Sequence, residues 1–196
     1  MSVTSIMIAG VGGQGLVLAT RIVASVALAE GCDVKTGDVV GLAQRGGMVW
    51  GSVRFGEVVH SPLIPAGSGD FMLAMEALEG LRWAHLLKPG ATVLLNNYSI
   101  FPNRVLLEKD VYPEDVPGLL KARGLETVSI DAETMAEEMG NRKLANTILL
   151  GALSASLPFP VKTWQGVISE NVPPKTVELN LKAFDAGRDA ATSDNH

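Results

Sequence analysis

The sequence has one cysteine, few aromatic residues and no run of five or more basic residues. The single cysteine, Cys32, excludes an internal disulfide and any iron–sulfur cluster ligated by the cysteines of this chain alone. A net charge of −5 without a basic cluster argues against a general nucleic-acid-binding protein. Scarce cysteine is typical of a reducing compartment, so we expect a cytoplasmic protein and interpret Cys32 as a small, buried apolar residue.

Signals for export or membrane insertion are also lacking. The first charged residue is Arg21, so the N-terminus has no basic region of the kind that opens a signal peptide. Residues 144–161 are uncharged but include Asn146 and Pro158, which favours a buried helix ending at Pro158 over a membrane span. We therefore expect a soluble protein that does not contact membranes.

The apolar patterns predict an α/β fold: a Rossmann-like, mostly parallel sheet flanked by helices, with a β-hairpin insertion and a helical C-terminal third. The alternation over residues 48–64 predicts the hairpin, with its turn at Gly56-Glu57. We expect one domain over residues 1–190, a loop-rich stretch over 97–124 and a disordered tail over 191–196. Strands are predicted at 6–9, 34–36, 71–75, 91–95 and 127–130, and helices at 14–30, within 76–90, at 131–140, 141–157 and 161–171, and from Pro173 onward.

The stretch GVGGQG, residues 10–15, follows a strand and precedes a helix. Gly10 permits a tight turn, Gly12 allows a diphosphate to approach the backbone, and Gly15 allows the helix to pack closely on the strand. The free amides at the start of the following helix would favour an anion. The same glycines also suit a turn that binds nothing, and the motif alone does not decide between the two.

A nicotinamide cofactor fits this loop less well. Dinucleotide-binding proteins place an acidic residue at the end of the second strand, about 20 residues after the glycines, where it binds the ribose hydroxyls. That position falls here near Lys35, Thr36 and Gly37, and neither Asp33 nor Asp38 is well placed. The sequence therefore ranks a dehydrogenase second.

A second glycine cluster, Gln44-Arg45-Gly46-Gly47, combines an amide, a permanent cation and two unrestricted backbone positions. Such a loop can hold a carboxylate or phosphate through the guanidinium and exposed amides. The alternative is a turn before the hairpin, with Arg45 in a structural ion pair. We expect both glycine clusters to lie at the carboxyl ends of the strands, where open α/β sheets bind ligands.

These segments resemble the gamma subunit or domain of 2-oxoacid:ferredoxin oxidoreductases, above all those of the indolepyruvate type. The likeness covers nearly the whole chain in the expected order and is looser over 97–124. It identifies residues 1–190 as a single domain of the pyruvate/ketoisovalerate ferredoxin oxidoreductase gamma type. The segments that carry it are GVGGQG, QRGG, VRFGEVVHSPLIPAG (53–67), MEALEGLR (75–82) and VPPKTVELNLKAF (172–184).

The resemblance implies a subunit, inactive alone, of an enzyme that converts indolepyruvate or another arylpyruvate to an acyl-CoA and reduces ferredoxin. Thiamine diphosphate, magnesium and 4Fe-4S clusters would belong to a large partner subunit, because this chain has neither the cysteines nor a GDG…N motif. We expect no firmly bound cofactor here, no catalytic or metal-binding residue, and a possible homodimer when the chain is isolated. Coenzyme A is the ligand expected at the glycine clusters, through Gly10, Gly12, Gly13, Gln14, Gly15, Gln44, Arg45, Gly46 and Gly47.

Two carboxylates, Glu76 and Glu79, lie on the first turns of a predicted helix. Their spacing places both on one face, and their charge suits a helix N-terminus. We favour a solvated or capping role for them over a functional one.

The remaining candidate residues are predicted to be structural. No histidine has metal-ligand partners at a usable spacing: His60, His85 and His196. The tryptophans are expected in the core or at a subunit contact: Trp50, Trp83 and Trp164.

The alternative function is a free-standing Rossmann-like nucleotide-binding protein, either an NAD-dependent oxidoreductase or a ligand-sensing module. Co-purification separates the two hypotheses, since only a subunit should be isolated together with a large cofactor-bearing chain.

Overall fold

The computed structural model describes residues 2–39, 47–100 and 112–193. The first two thirds contain all the described strands with helices between some of them, and the last third is helical, as the sequence predicts. The strands are β1 (Thr4–Val11), β2 (Asp33–Val39), β3 (Met48–Gly56), β4 (Gly69–Ala74), β5 (Leu87–Asn96) and β6 (Glu126–Ile130). The helices are α1 (Leu16–Ala29), α2 (Ala77–Trp83), α3 (Val116–Ala122), α4 (Ala132–Glu138), α5 (Ala145–Ala155), α6 (Val161–Asn171) and α7 (Val177–Ser193).

The strands of the described residues form a six-stranded sheet in the order β2-β3-β1-β4-β5-β6. β1, β4, β5 and β6 pair in parallel, and β3 runs antiparallel to its neighbours β1 and β2. β2 therefore points the same way as β1. The carboxyl ends of five strands meet at one edge of the sheet, which is where α/β folds place ligands.

Both faces of the sheet are covered, which explains the continuous apolar character of β1. Ile6 and Ile8 face a core shared with α1 and the C-terminal helices. Met7, between them, faces a smaller core shared with α2 and α3. The alternation follows from the two-residue period of a strand.

The segment predicted as a hairpin, residues 48–64, contains one strand, β3, and not two. β3 pairs with β2, and no strand follows Gly56 before Gly69. The Arg54 side chain instead donates to the carbonyl oxygens of Ser61 and Leu63, at 2.9 Å each, and Ser52 Oγ donates to Pro62 O at 2.8 Å. Residues 61–63 are thus held by side chains from β3, and the turn predicted at Gly56-Glu57 was wrong.

Three further boundaries differ from the prediction. α2 ends at Trp83, well before the end of the stretch 76–90 in which a helix was predicted, and the residues from Leu87 onward belong to β5. The 97–124 stretch contains the helix α3, and residues 101–111 lie outside the described part. α7 continues to Ser193, so residues 191–193 are helical and the predicted tail was wrong there.

Within the described residues, no helix is both long enough and apolar enough to cross a bilayer.

Candidate functional site

The first glycine cluster connects the end of β1 to the start of α1 and lines a cleft of about 470 Å³. Gly13 has φ +106° and Gly15, at the N-cap position of α1, has φ +81°, a backbone region that side chains disfavour. α1 is 14 residues long, and its first turn has neither an acidic residue nor a side-chain cap. The positive end of its dipole and its free amides are therefore available to an anion.

Gln14 holds the loop in shape through its own amide. Its Oε1 accepts from Val11 N at 2.7 Å, and its Nε2 donates to Met75 O at 2.8 Å. A Cβ at Gly10 would lie 2.6 Å from Gln14 Oε1. The side chain that we expected to contact a ligand thus joins the ends of β1 and β4, and it also lines the cleft.

Asn146, on α5, fixes the other side of the loop. Its Nδ2 donates to Gln14 O at 3.0 Å and to Gly15 O at 2.8 Å. A Cβ at Gly15 would lie 2.5 Å from this nitrogen, which gives Gly15 a packing role as well as a backbone one. A residue some 130 positions away in the sequence therefore sets the geometry of the glycine loop.

The second glycine cluster reaches the same edge of the sheet. Gly12 N donates to Gly47 O at 3.0 Å, directly beside the Val11–Met48 pair of β1 and β3. The predicted proximity of the two clusters is confirmed at Gly47. Three residues of this cluster lie outside the described part of the chain: Gln44, Arg45 and Gly46.

Two cations outside the predicted site residues, Arg142 and Lys143, line the cleft from the short turn before α5. Arg142 also pairs with Glu137, with Nε 2.9 Å from Oε1, on an exposed surface. Asn141 accepts from Lys143 N at 3.1 Å and so caps this turn. The signal in the sequence was the adjacent pair of cations immediately after a capping asparagine.

Asn96, at the end of β5, places a buried acceptor on the cleft wall. The residue is 1% exposed, and its Nδ2 donates to Met75 O at 3.1 Å. Its Oδ1 has no hydrogen-bond partner among the described residues. A buried, unpaired amide oxygen is costly, and a hydroxyl or amine group of a bound ligand would relieve that cost.

Glu76 and Glu79 are both fully buried, so the predicted solvated role was wrong. The predicted capping role is confirmed for Glu76, whose Oε2 accepts from Glu79 N at 2.9 Å at the start of α2. Burial raises the pKa of Glu76, against the effect of its hydrogen-bond donors. Burial also raises the pKa of Glu79 to about 7, although the guanidinium of Arg82 lies 3.4 Å away.

Replacing Glu79 with glutamine should therefore change how folding depends on pH. In the folded wild type the carboxyl keeps its proton up to about pH 7, whereas in the unfolded chain it ionises near 4.5. Stability from this group is lost as the pH rises through that interval. Between about pH 5 and pH 8, the unfolding free energy of the wild type should fall by about 2.5 kcal/mol more than that of Glu79→Gln. Urea denaturation at both pH values measures the difference, and parallel curves would contradict the assignment.

The other candidate residues are structural where the structure describes them. Trp164 is fully buried against Phe184, as predicted, while Trp50 and Trp83 are half-buried and pack against each other with centroids 5.3 Å apart and ring planes tilted by 49°. Cys32 is half-buried at the margin of the core instead of fully buried. The two described histidines are exposed, and no three metal-ligating side chains cluster within the described ranges.

Comparison with known proteins agrees with the fold and the order of these elements. The sequence pattern of the pyruvate ferredoxin/flavodoxin oxidoreductase family matches residues 5–190. The chain is 38% identical to indolepyruvate oxidoreductase subunit IorB of Thermococcus kodakarensis, over 95% of both chains.

Solved structures show the same architecture. The gamma subunit of a keto/oxoacid ferredoxin oxidoreductase from Geobacter sulfurreducens aligns with a TM-score of 0.72 at 25% identity, over 97% of this chain and 99% of that one. A 2-oxoglutarate:ferredoxin oxidoreductase from Magnetococcus marinus, solved with 2-oxoglutarate, coenzyme A and succinyl-CoA bound, aligns with a TM-score of 0.79 at 22% identity. This match covers 98% of the present chain and 32% of the other. With a sequence pattern that spans nearly its whole length and a relative of such similarity, the chain belongs to the pyruvate ferredoxin/flavodoxin oxidoreductase family.

Proposed function

We propose that this chain is the non-cluster subunit of a thiamine-diphosphate-dependent 2-oxoacid:ferredoxin oxidoreductase that acts on indolepyruvate or related arylpyruvates. The observation that carries the proposal is its full-length similarity to an indolepyruvate oxidoreductase subunit. The enzyme would convert a 2-oxoacid, coenzyme A and two oxidised ferredoxins to an acyl-CoA, carbon dioxide, a proton and two reduced ferredoxins.

The reaction would be divided between two chains. A large partner subunit would hold thiamine diphosphate, magnesium and the 4Fe-4S clusters, which supply decarboxylation and electron transfer to ferredoxin. The single cysteine of the present chain supports this division, because a 4Fe-4S cluster needs several thiolate ligands. The present chain would complete the assembled enzyme.

Its own contribution would be a binding site for coenzyme A in the cleft. Coenzyme A carries a diphosphate and a separate phosphate on its ribose, so it needs several groups that bind anions. The glycine loop and the start of α1 offer backbone amides, and Arg142 and Lys143 add positive charge. Glu133 lies in the same cleft; burial raises the pKa of its carboxyl and Arg142 opposes that effect.

The dehydrogenase alternative gains no support from Asp33. This residue begins β2, at the opposite end of the strand from the glycine loop. Its carboxylate bonds to Lys35 Nζ at 2.6 Å and to Val59 N at 2.8 Å. Both partners hold it in the sheet, away from any ribose at the carboxyl edge.

Reconstitution tests the subunit assignment. The purified chain should be colourless and inactive with indolepyruvate, coenzyme A and an electron acceptor, because it is proposed to carry no electron-transfer centre. Activity should follow addition of the large subunit. Turnover by the pure chain would overturn the proposal.

Three further predictions belong to the same proposal. Residues 1–190 would act as a single domain, the isolated chain could form a homodimer, and the complex would work in the cytoplasm.

A further inference from the structure

Glu76 joins three segments that are separate in the sequence. Its Oε2 accepts from Glu79 N at the start of α2, and its Oε1 accepts from Ile100 N at 3.3 Å and from the Tyr112 hydroxyl at 2.5 Å. The carboxylate is fully buried and has a donor on each oxygen. We call Glu76, Ile100 and Tyr112 the Glu76 clasp.

The Tyr112 hydroxyl has defined donor and acceptor roles in this arrangement. It donates to Glu76 and accepts from Leu78 N at 3.1 Å. A phenylalanine at this position would keep the ring and lose these hydrogen bonds. Tyr112→Phe is therefore a mild and specific way to loosen the clasp.

The clasp holds one wall of the cleft: Ile100 belongs to that wall, whereas Glu76 and Tyr112 do not line the cleft. Ile100 and Tyr98 both line the cleft, and Ala77 N donates to Tyr98 O at 3.4 Å. Met75, which immediately precedes Glu76, also lines it and accepts from the side chains of Gln14 and Asn96. One short stretch, residues 75–77, thus connects the glycine loop to the Tyr98–Ile100 wall.

We propose that the Glu76 clasp is a positioning element that sets the distance between the Tyr98–Ile100 wall and the glycine loop, and thereby the affinity of the cleft for coenzyme A. This inference rests on the proposed function. Glu76 is too deeply buried to touch the ligand and acts through the wall that it holds. A small displacement of one wall of a binding cleft lowers the affinity for the ligand and does not alter the chemistry elsewhere in the enzyme.

Kinetics of the assembled enzyme provide the test. Tyr112→Phe should raise the apparent KM of coenzyme A by about 3-fold to 10-fold, with kcat and the KM of the 2-oxoacid changed less than about 2-fold. The matched control is Asp115→Ala, which removes the cap of α3, a 2.8 Å bond from Gly118 N, and leaves the cleft intact. The control should lower thermal stability and leave the KM of coenzyme A unchanged.

Hydrogen exchange of the isolated chain gives a readout that needs no ligand. The amides of residues 97–100 should exchange faster in Tyr112→Phe than in Asp115→Ala, because only the first variant loosens the bond from Ile100 N.

Two results would overturn the inference in distinguishable ways. If Tyr112→Phe lowers stability but leaves the KM of coenzyme A unchanged, while Lys143→Ala raises it, the cleft binds coenzyme A and the clasp is merely structural. If neither variant changes that KM, the cleft is not the coenzyme A site and the proposed function of the cleft fails with it.

Discussion

Replacing Lys143 with alanine should raise the apparent KM of coenzyme A for the assembled enzyme by about 10-fold to 100-fold. The substitution removes one cation from a cleft that already combines a glycine loop, the start of α1 and Arg142. A hydrogen bond between charged partners contributes about 1.5–3 kcal/mol, and each 1.4 kcal/mol corresponds to about a factor of ten. Steady-state kinetics of the reconstituted pair measure the change.

The control for this variant is Lys175→Ala. Lys175 is also exposed but lies on the turn before α7 and does not line the cleft. Its substitution should leave the kinetics unchanged. The KM of the 2-oxoacid should be unaffected in both variants, because that substrate would be bound by the partner subunit. Equal kinetics for Lys143→Ala and Lys175→Ala would make Lys143 an ordinary surface charge.

Gly187→Ala should destabilise the isolated chain by about 3 kcal/mol or more. A Cβ at Gly187, inside α7, would collide with the carbonyl oxygen of Ile148 on α5, and a Cβ at Gly151 would collide with that of Phe184. Backbone atoms in two packed helices cannot move aside cheaply, so the helices would separate. α5 also carries Asn146, so the glycine loop would lose its support at the same time.

Gly166→Ala is the matched control, because Gly166 lies inside α6 and a Cβ there would meet no atom of the described residues within 4 Å. Alanine is the better helix former at this position and should stabilise the chain by about 0.5–1 kcal/mol. Chemical denaturation should therefore move the two variants in opposite directions. Similar stabilities would show that the α5–α7 contact tolerates a side chain.

The central strands of this fold could be predicted because they contain short apolar runs, such as Ile6–Ala9, that helices on both faces of the sheet bury. The helix α6 was predicted at its observed bounds, since a proline and an apolar period mark it. The hairpin could not be assigned correctly, because alternation shows that a segment is extended and not what it pairs with. The carbonyl oxygens of residues 61–63 instead accept from the side chains of Ser52 and Arg54, which no local pattern reveals.

The candidate site was predicted in part. The glycine loop was found because its composition is local and its backbone geometry demands glycine, as the positive φ of Gly13 and Gly15 shows. Lys143 and Asn146 were missed because they reach the loop only after the chain has completed the sheet. Glu76 was interpreted from its helix position alone, and local spacing cannot reveal the hydrogen bonds that it accepts from Ile100 and Tyr112.

The most direct test of the account is to isolate the tagged chain from its native cells at physiological salt and identify what accompanies it. The account predicts a large second chain in stoichiometric amount, with iron, acid-labile sulfide and thiamine diphosphate in the purified complex, and reduction of ferredoxin when indolepyruvate and coenzyme A are supplied. Recovery of the chain alone, or with a partner that lacks these cofactors, would contradict its assignment as a subunit of a 2-oxoacid:ferredoxin oxidoreductase.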